Sequence, residues 1–191
     1  KKKSSIRSYR RPREQPRSIG PYSAKSIMEK QAKIVMISMF KNESTTIGRM
    51  LESCYQHIDY WILQDNGSTD GTRELLHQLA KILPVIVVDD PIYAHEQDTK
   101  MTVLAKCARK LGAKWIVPFD ADEFWFARDS SLGDHLRNER KAVVVYGEVF
   151  NAFPVSHESM RTDSSMAMSD TVVMRKVAFK AHRFASLCMG N

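Results

Sequence analysis

The sequence predicts an α/β protein, a mostly parallel sheet flanked by helices in a single domain, and three observations carry that expectation. A continuous apolar run, Ile34-Val-Met-Ile-Ser-Met-Phe40, suits a strand covered on both faces. Behind it the apolar positions fall at helical spacing. The strand and helix pattern then repeats as βαβαβαβ, the order that builds a parallel sheet. The chain has 191 residues, 43% of them apolar and 27% charged, enough for one sizeable core. Collagen, coiled coil and a wholly disordered chain are excluded by the same figures.

Taken in order, the first 33 residues hold three prolines, few apolar side chains and no period, so they are expected to form a basic arm or linker. The formal charge of +7 is concentrated there: of 29 basic residues 11 lie in this segment beside two acids, which leaves 18 basic and 20 acidic residues from Ile34 onward. The arm is a candidate for contact with an anionic membrane surface or another domain. Tyr9 and Tyr22 are too few and too far apart for a base-stacking platform, and no specific nucleic-acid partner is expected.

After the first strand, Ile47, Met50, Leu51, Cys54, Tyr55 and Ile58 form one helical stripe. Tyr60 to Leu63 is expected as a second strand, Asn66 to Thr72 as a turn, and Leu75, Leu76, Leu79, Ala80 and Leu83 as the inner face of a second helix. Val85 to Val88 gives a third strand, Met101, Leu104, Ala105, Ala108 and Leu111 mark the apolar stripe of a third helix, and Trp115 to Phe119 gives a fourth strand, in which Pro118 points to a bulge or a slightly earlier end. Farther on, a short helix is expected near Leu132 to Leu136, strands at Ala142 to Phe150 and Thr171 to Phe179, and a polar loop from Ser156 to Asp170.

No apolar run reaches the ~18 to 20 residues of a membrane span. The chain opens on Lys1-Lys2-Lys3 with no apolar signal core behind it, which suggests a processed or excised piece of something longer in the cytoplasm, peripheral at most to a membrane surface. Cys54, Cys107 and Cys188 are odd in number and lack metal-ligand spacing, consistent with a reducing compartment.

In an open α/β sheet ligands bind beyond the carboxyl ends of the strands. Those ends carry Lys41, Asn42 and Glu43, then Asp65 and Asn66, then Asp89 and Asp90, then Asp120, Asp122 and Glu123. Seven carboxylates converging there would repel one another, and a divalent cation is the simplest remedy. In Trp115-Ile-Val-Pro-Phe-Asp-Ala-Asp-Glu-Phe-Trp125 an extended backbone would turn Asp120 and Asp122 to one side, able to address a single Mn²⁺ or Mg²⁺, while Ala121 leaves room for a ligand. Asp65 at a strand tip can accept hydrogen bonds from a nucleobase imino group or a ribose. The turn Asn66-Gly-Ser-Thr-Asp-Gly-Thr72 can cap a helix without any further role.

Neither a dinucleotide fingerprint nor a P-loop occurs, so a diphosphate would rest on metal and on basic side chains, with Lys41 and Lys100 the candidates by position. A Gly-X-Ser-X-Gly elbow and a His-Glu-X-X-His helix are missing as well, and His182 suits a surface or packing role.

Three segments, Ile34 to Glu43, Gln64-Asp-Asn-Gly-Ser-Thr-Asp-Gly-Thr72 and Phe119-Asp-Ala-Asp-Glu-Phe-Trp125, resemble in order and separation the family-2 glycosyltransferases of the GT-A fold, a Rossmann-related architecture. The resemblance implies a metal-dependent, inverting transfer of a hexose or deoxyhexose from a nucleotide sugar to a glycan or lipid-linked acceptor. It places Asn42, Glu43, Asp65 and Asn66 beside base and ribose, and Asp120-Ala121-Asp122 at ribose, metal and diphosphate. Lys41 and Asn66 stand where many relatives have tyrosine and aspartate, which leaves UDP, GDP and dTDP open as the nucleotide. The implied division is a nucleotide-sugar half over 34–126 and an acceptor side over 127–191 that is short for the family. No catalytic base is assigned, with Glu148, Asp163 and Asp170 as candidates. A nucleotide-sugar-binding or docking module, and nucleotidyl transfer, are the rival functions.

Overall fold

The computed structural model describes residues 8–9, 34–90, 96–125, 131–149, 152–154, 166–168 and 174–181. The chain packs as two compact units, one of Pro21–Val145 with Val177–Asn191 and a smaller one of Lys1–Gly20 with Tyr146–Lys176.

Strands β2 (Ile34–Phe40), β3 (Tyr60–Asp65), β4 (Val85–Asp89) and β5 (Trp115–Pro118) run parallel, and β9 (Met174–Lys180) lies antiparallel to β5. With β6 (Val144–Val149) the sheet order is β4-β3-β2-β5-β9-β6. Its helices are α1 (Ile47–Cys54), α2 (Thr72–Leu79), α3 (Gln97–Lys110) and α4 (Leu132–Asn138).

The unbroken apolar run of β2 has its reason in two separate cores. Side chains alternate across a strand, so Ile34, Met36 and Phe40 pack with Ile47, Met50 and Leu51 of α1, Leu76 of α2 and Leu136 of α4. Val35 and Ile37 face the other way, onto Met101, Leu104, Ala105 and Ala108 of α3. Both faces are covered, and β2 has no polar side to show. At the end of α3, Gly112 takes a φ of 82°, and the Ala113 N–H reaches back to the Ala108 carbonyl at 3.1 Å, a closure that turns the chain into β5.

Several boundaries differ from the expectation. β3 runs on through Gln64 and Asp65, because both pair with β2 and β4 in register. β5 ends at Pro118, one residue earlier than expected, although the Phe119 N–H still donates to the Ile37 carbonyl of β2 at 3.2 Å. Leu111 is exposed at 37%, beyond the last turn of α3, and does not belong to its inner face. The stretch expected as a loop contains β8 (Met166–Met168), which pairs antiparallel with β7 (Ala152–Pro154) and with β1 (Ser8–Tyr9) in a three-stranded sheet. Ser8 and Tyr9 are therefore strand and not linker; the rest of the basic segment lies outside the described residues.

Candidate functional site

The loops that follow β2 and β3 are bound to each other by side chain to backbone hydrogen bonds. Asn42 holds a left-handed φ of 58°, which asparagine tolerates better than most residues. Its Oδ1 accepts from the Thr69 N–H at 2.8 Å, and its own N–H donates to Ser68 Oγ at 2.9 Å. The Glu43 N–H donates to Thr72 Oγ1 at 2.8 Å, and the Ser44 N–H to Asp70 Oδ2 at 3.0 Å. Thr72 is fully buried, and its hydroxyl passes a hydrogen bond on to Asp70 Oδ1 at 2.6 Å. That hydroxyl, with the N–H groups of Ser44 and Thr72, holds the Asp70 carboxyl well below the usual carboxylate range. The Glu43 carboxylate turns back to accept from Thr46 Oγ1 at 2.6 Å, which steadies the entry to α1.

Asp65 closes β3 and is 2% exposed. Its Oδ2 accepts from the N–H groups of Gly67 and Ser68 at 3.1 and 3.2 Å, and its Oδ1 is buried with no hydrogen-bond partner. Buried acceptors are rarely left so, because the desolvation of a charged oxygen goes uncompensated. A donor supplied by a ligand would compensate it.

At the end of β4 the acids are matched by cations of the protein. Asp89 accepts a two-pronged pair from Arg73 at 3.0 and 2.8 Å and a contact from His77 Nε2 at 3.0 Å, and Arg73 foremost draws the Asp89 carboxyl below its ordinary value. Asp90 accepts from Gln64 Nε2 and from Lys100 Nζ, each at 3.0 Å, and Lys100 donates to Asn66 Oδ1 at 2.6 Å. Lys100 thus ties α3 to the ends of β3 and β4. Lys41 is exposed at the end of β2.

Beyond β5 the chain turns at once. The Glu123 N–H donates to the Asp120 carbonyl at 3.1 Å, and the Glu123 carboxylate accepts from the Asp120 N–H at 3.2 Å. Asp120 and Asp122 therefore sit on a turn and not on the extended backbone expected from their spacing, the consequence of a strand that has already ended at Pro118. Asp122 is exposed, and its carboxylate makes no hydrogen bond or ion pair among the described residues. It lines a pocket of about 300 Å³ with Ala121, Phe124, Thr45, Thr46 and Arg49.

The seven carboxylates do not form one cluster. Among the described residues no three His, Cys, Asp or Glu side chains are grouped to hold an ion. Repulsion at this edge is relieved by Arg73, His77, Lys100 and backbone N–H groups, so charge balance alone does not demand a metal. Thr45, Thr46, Arg49 and Phe124 were not anticipated; the signal for Arg49 is its place on the polar side of α1, between buried Ile47 and Met50. Glu148 is exposed on β6, while Asp163, Asp170 and His182 lie outside the described residues.

A family model described as "Glycosyl transferase family 2" matches residues 35–187, through both compact units. The chain belongs to that family. Its six-stranded, mostly parallel sheet with flanking helices is the GT-A fold of the family-2 glycosyltransferases. Among solved structures, S. aureus TarS 1-349 in complex with UDP is 18% identical, with 48% of this chain and 28% of that one covered and a TM-score of 0.42. A mannosyltransferase from Pyrobaculum calidifontis in complex with GDP-Man and Mn²⁺ is 21% identical, with 60% and 33% covered and a TM-score of 0.43. The chain thus spans about a third or less of the length of these structures. No curated protein matches it in sequence. No helix among the described residues is long and apolar enough to cross a membrane.

Proposed function

We propose that this family-2 domain transfers a hexose or deoxyhexose from a nucleoside-diphosphate sugar to a glycan or lipid-linked acceptor hydroxyl, with inversion and with Mn²⁺ or Mg²⁺. One observation carries the reading: of the seven carboxylates at the strand ends, Asp122 alone is without a protein partner among the described residues, and it lines a pocket.

A hard divalent ion commonly binds through one or two carboxylates and completes its shell with phosphate oxygens and water. Asp122, with Asp120 on the same turn, fits that donor set without a larger cage. When bound, the ion would stabilise the negative charge of the departing nucleoside diphosphate. Ala121 keeps the approach open, and Arg49 brings a second positive charge to the same pocket. Asp65 would take a base or ribose donor on its unpartnered Oδ1. Asn42 and Glu43 serve the nucleoside by holding their loop in place, since Asn42 Oδ1 and the Glu43 carboxylate are occupied within the protein. Lys100 likewise acts through Asn66 and Asp90. Residues 34–126 make up the nucleotide-sugar half in this reading, and 127–191 the acceptor side.

The test is calorimetric titration of UDP, GDP and dTDP sugars, with Mn²⁺ and with EDTA, into wild type and Asp122→Asn. Metal and donor should strengthen each other's binding, as linkage requires. Asp122→Asn should weaken donor binding about tenfold or more in Mn²⁺, and EDTA should add little to that loss. Equal donor binding by wild type in EDTA and in Mn²⁺, or full affinity in Asp122→Asn, refutes the metal-dependent reading. Release of pyrophosphate in place of nucleoside diphosphate would move the protein to nucleotidyl transfer.

A further inference from the structure

The opposite end of the sheet, where β5 begins and β9 finishes, carries a cavity that the proposed chemistry does not use. It measures about 490 Å³ and is lined by Lys114, Trp115, Arg137, Lys180 and the short chain of Gly112, Ala113 and Ala181. Three of its side chains are cations and none is an acid. The register explains the grouping, because Trp115 pairs with Lys180 across β5 and β9, and Lys114 precedes Trp115.

The cations differ in how far they are already satisfied. Arg137 donates to Asp59 Oδ1 at 3.3 Å and to the His57 carbonyl at 3.2 Å. The second oxygen of Asp59 accepts from the Ile34 N–H at 2.9 Å, so this carboxylate is fully engaged. Lys180 donates to the Arg140 carbonyl at 2.9 Å and lies over the Trp115 ring, 5.3 Å from its centroid. A carbonyl and a ring face leave its positive charge uncancelled. Glu139, which feels Lys180, has its carboxylate on the N–H groups of Lys141 and Ala142. Lys114 is exposed, and its ammonium makes no hydrogen bond or ion pair among the described residues. Trp115, also in the lining, is fully buried, and its indole N–H has no acceptor among the described residues.

A concave site with surplus positive charge, unused donors and no competing carboxylate in its lining selects an oxyanion. We infer that this cavity is a second anion site that takes a phosphate group, bound by Lys114, Lys180 and Arg137 away from the strand ends that carry Asp122. A soluble phosphate or diphosphate and the phosphate of a lipid headgroup share that chemistry.

The Trp115 indole resonance of the ¹⁵N-labelled full chain reports on the cavity directly. Inorganic phosphate and pyrophosphate should move it saturably at constant ionic strength, where chloride does not. Lys114→Ala, which removes no hydrogen bond or ion pair among the described residues, should raise the dissociation constant about tenfold, Lys114→Glu should raise it further, and Asp122→Asn should leave it unchanged. Flotation with vesicles containing phosphatidic acid separates the two sources: binding that Lys114→Glu abolishes assigns the phosphate to a lipid. No saturable shift with either soluble anion, together with vesicle binding that is absent or indifferent to Lys114→Glu, overturns the inference. So does a shift that chloride reproduces or that Asp122→Asn removes.

Discussion

The contact most suited to a quantitative test is the Thr72 hydroxyl, which joins the loops after β2 and β3. Thr72→Val keeps size and branching and deletes one oxygen, so packing is nearly constant. Two bonds go with it, one accepted from the Glu43 N–H at 2.8 Å and one donated to Asp70 at 2.6 Å. Exposed Asp70 recovers a partner from water, so the cost falls on the Glu43 N–H, left facing a methyl group at a fully buried position. An unsatisfied buried donor costs about 1 to 3 kcal/mol. Taking ~2 kcal/mol as the middle, the melting temperature should drop by roughly 4 to 8 °C for a domain of this size. Urea unfolding should show a lower midpoint with an unchanged slope, and the Glu43 amide should exchange faster. Because the Thr72 hydroxyl is the largest cause of the depressed Asp70 pKa, that pKa should rise in the variant. The sign follows from linkage: a carboxyl with a lowered folded-state pKa adds stability above its unfolded value and loses it as pH falls through the folded one. Wild type should therefore lose more stability on acidification below about pH 4 than Thr72→Val does. A variant within about 0.5 kcal/mol of wild type, with Glu43 exchange unaltered, would refute the claim that this hydroxyl joins the loops.

Two further expectations concern the core. A Cβ at Gly133 would meet the His57 carbonyl at 2.8 Å and Arg137 Nη1 at 2.6 Å; the backbone oxygen cannot move aside cheaply, so Gly133→Ala should destabilise by about 1 to 3 kcal/mol in denaturant titration. Burial pushes the Cys54 thiol up to about 12, so native protein at pH 8 should leave Cys54 unlabelled by iodoacetamide while half-buried Cys107 reacts, as peptide mass mapping would show.

The parallel half of the fold was legible because its signals are local and redundant. The run from Ile34 to Phe40 could only be a strand buried on both sides, and the stripe from Ile47 to Cys54 could only face one core. The small sheet of β1, β7 and β8 was not legible, since strands of two and three residues carry too little period to stand out from a polar stretch. Leu111 shows the complementary error: it continues the apolar stripe of α3 in sequence, but Gly112 has already begun to turn the chain away.

At the candidate site the sequence located the acids but not their partners. Asp65, Asp89, Asp90, Asp120 and Asp122 all fall at strand ends, as the alternation requires; spacing paired Asp120 with Asp122 but could not tell which of the acids are already answered within the protein. What separates them is contact across 10 to 34 residues of chain: Arg73 answers Asp89, and Lys100 answers Asn66 as well as Asp90. Removing the partnered acids from consideration leaves Asp122, one of the two residues that the Asp-X-Asp spacing had marked for a metal; the fold adds that its carboxylate has no partner among the described residues. The same distinction applies to Asn42 and Glu43, whose place beside a nucleotide and whose bonds to neighbouring residues are separate matters. The hydrogen bonds from Asn42, Glu43 and Ser44 to the loop after β3 restrict both loops before any ligand arrives. A donor that met Asp65 on one of them would then have less ordering entropy to overcome at the other, which is the physical advantage of a preorganised site over one assembled on binding.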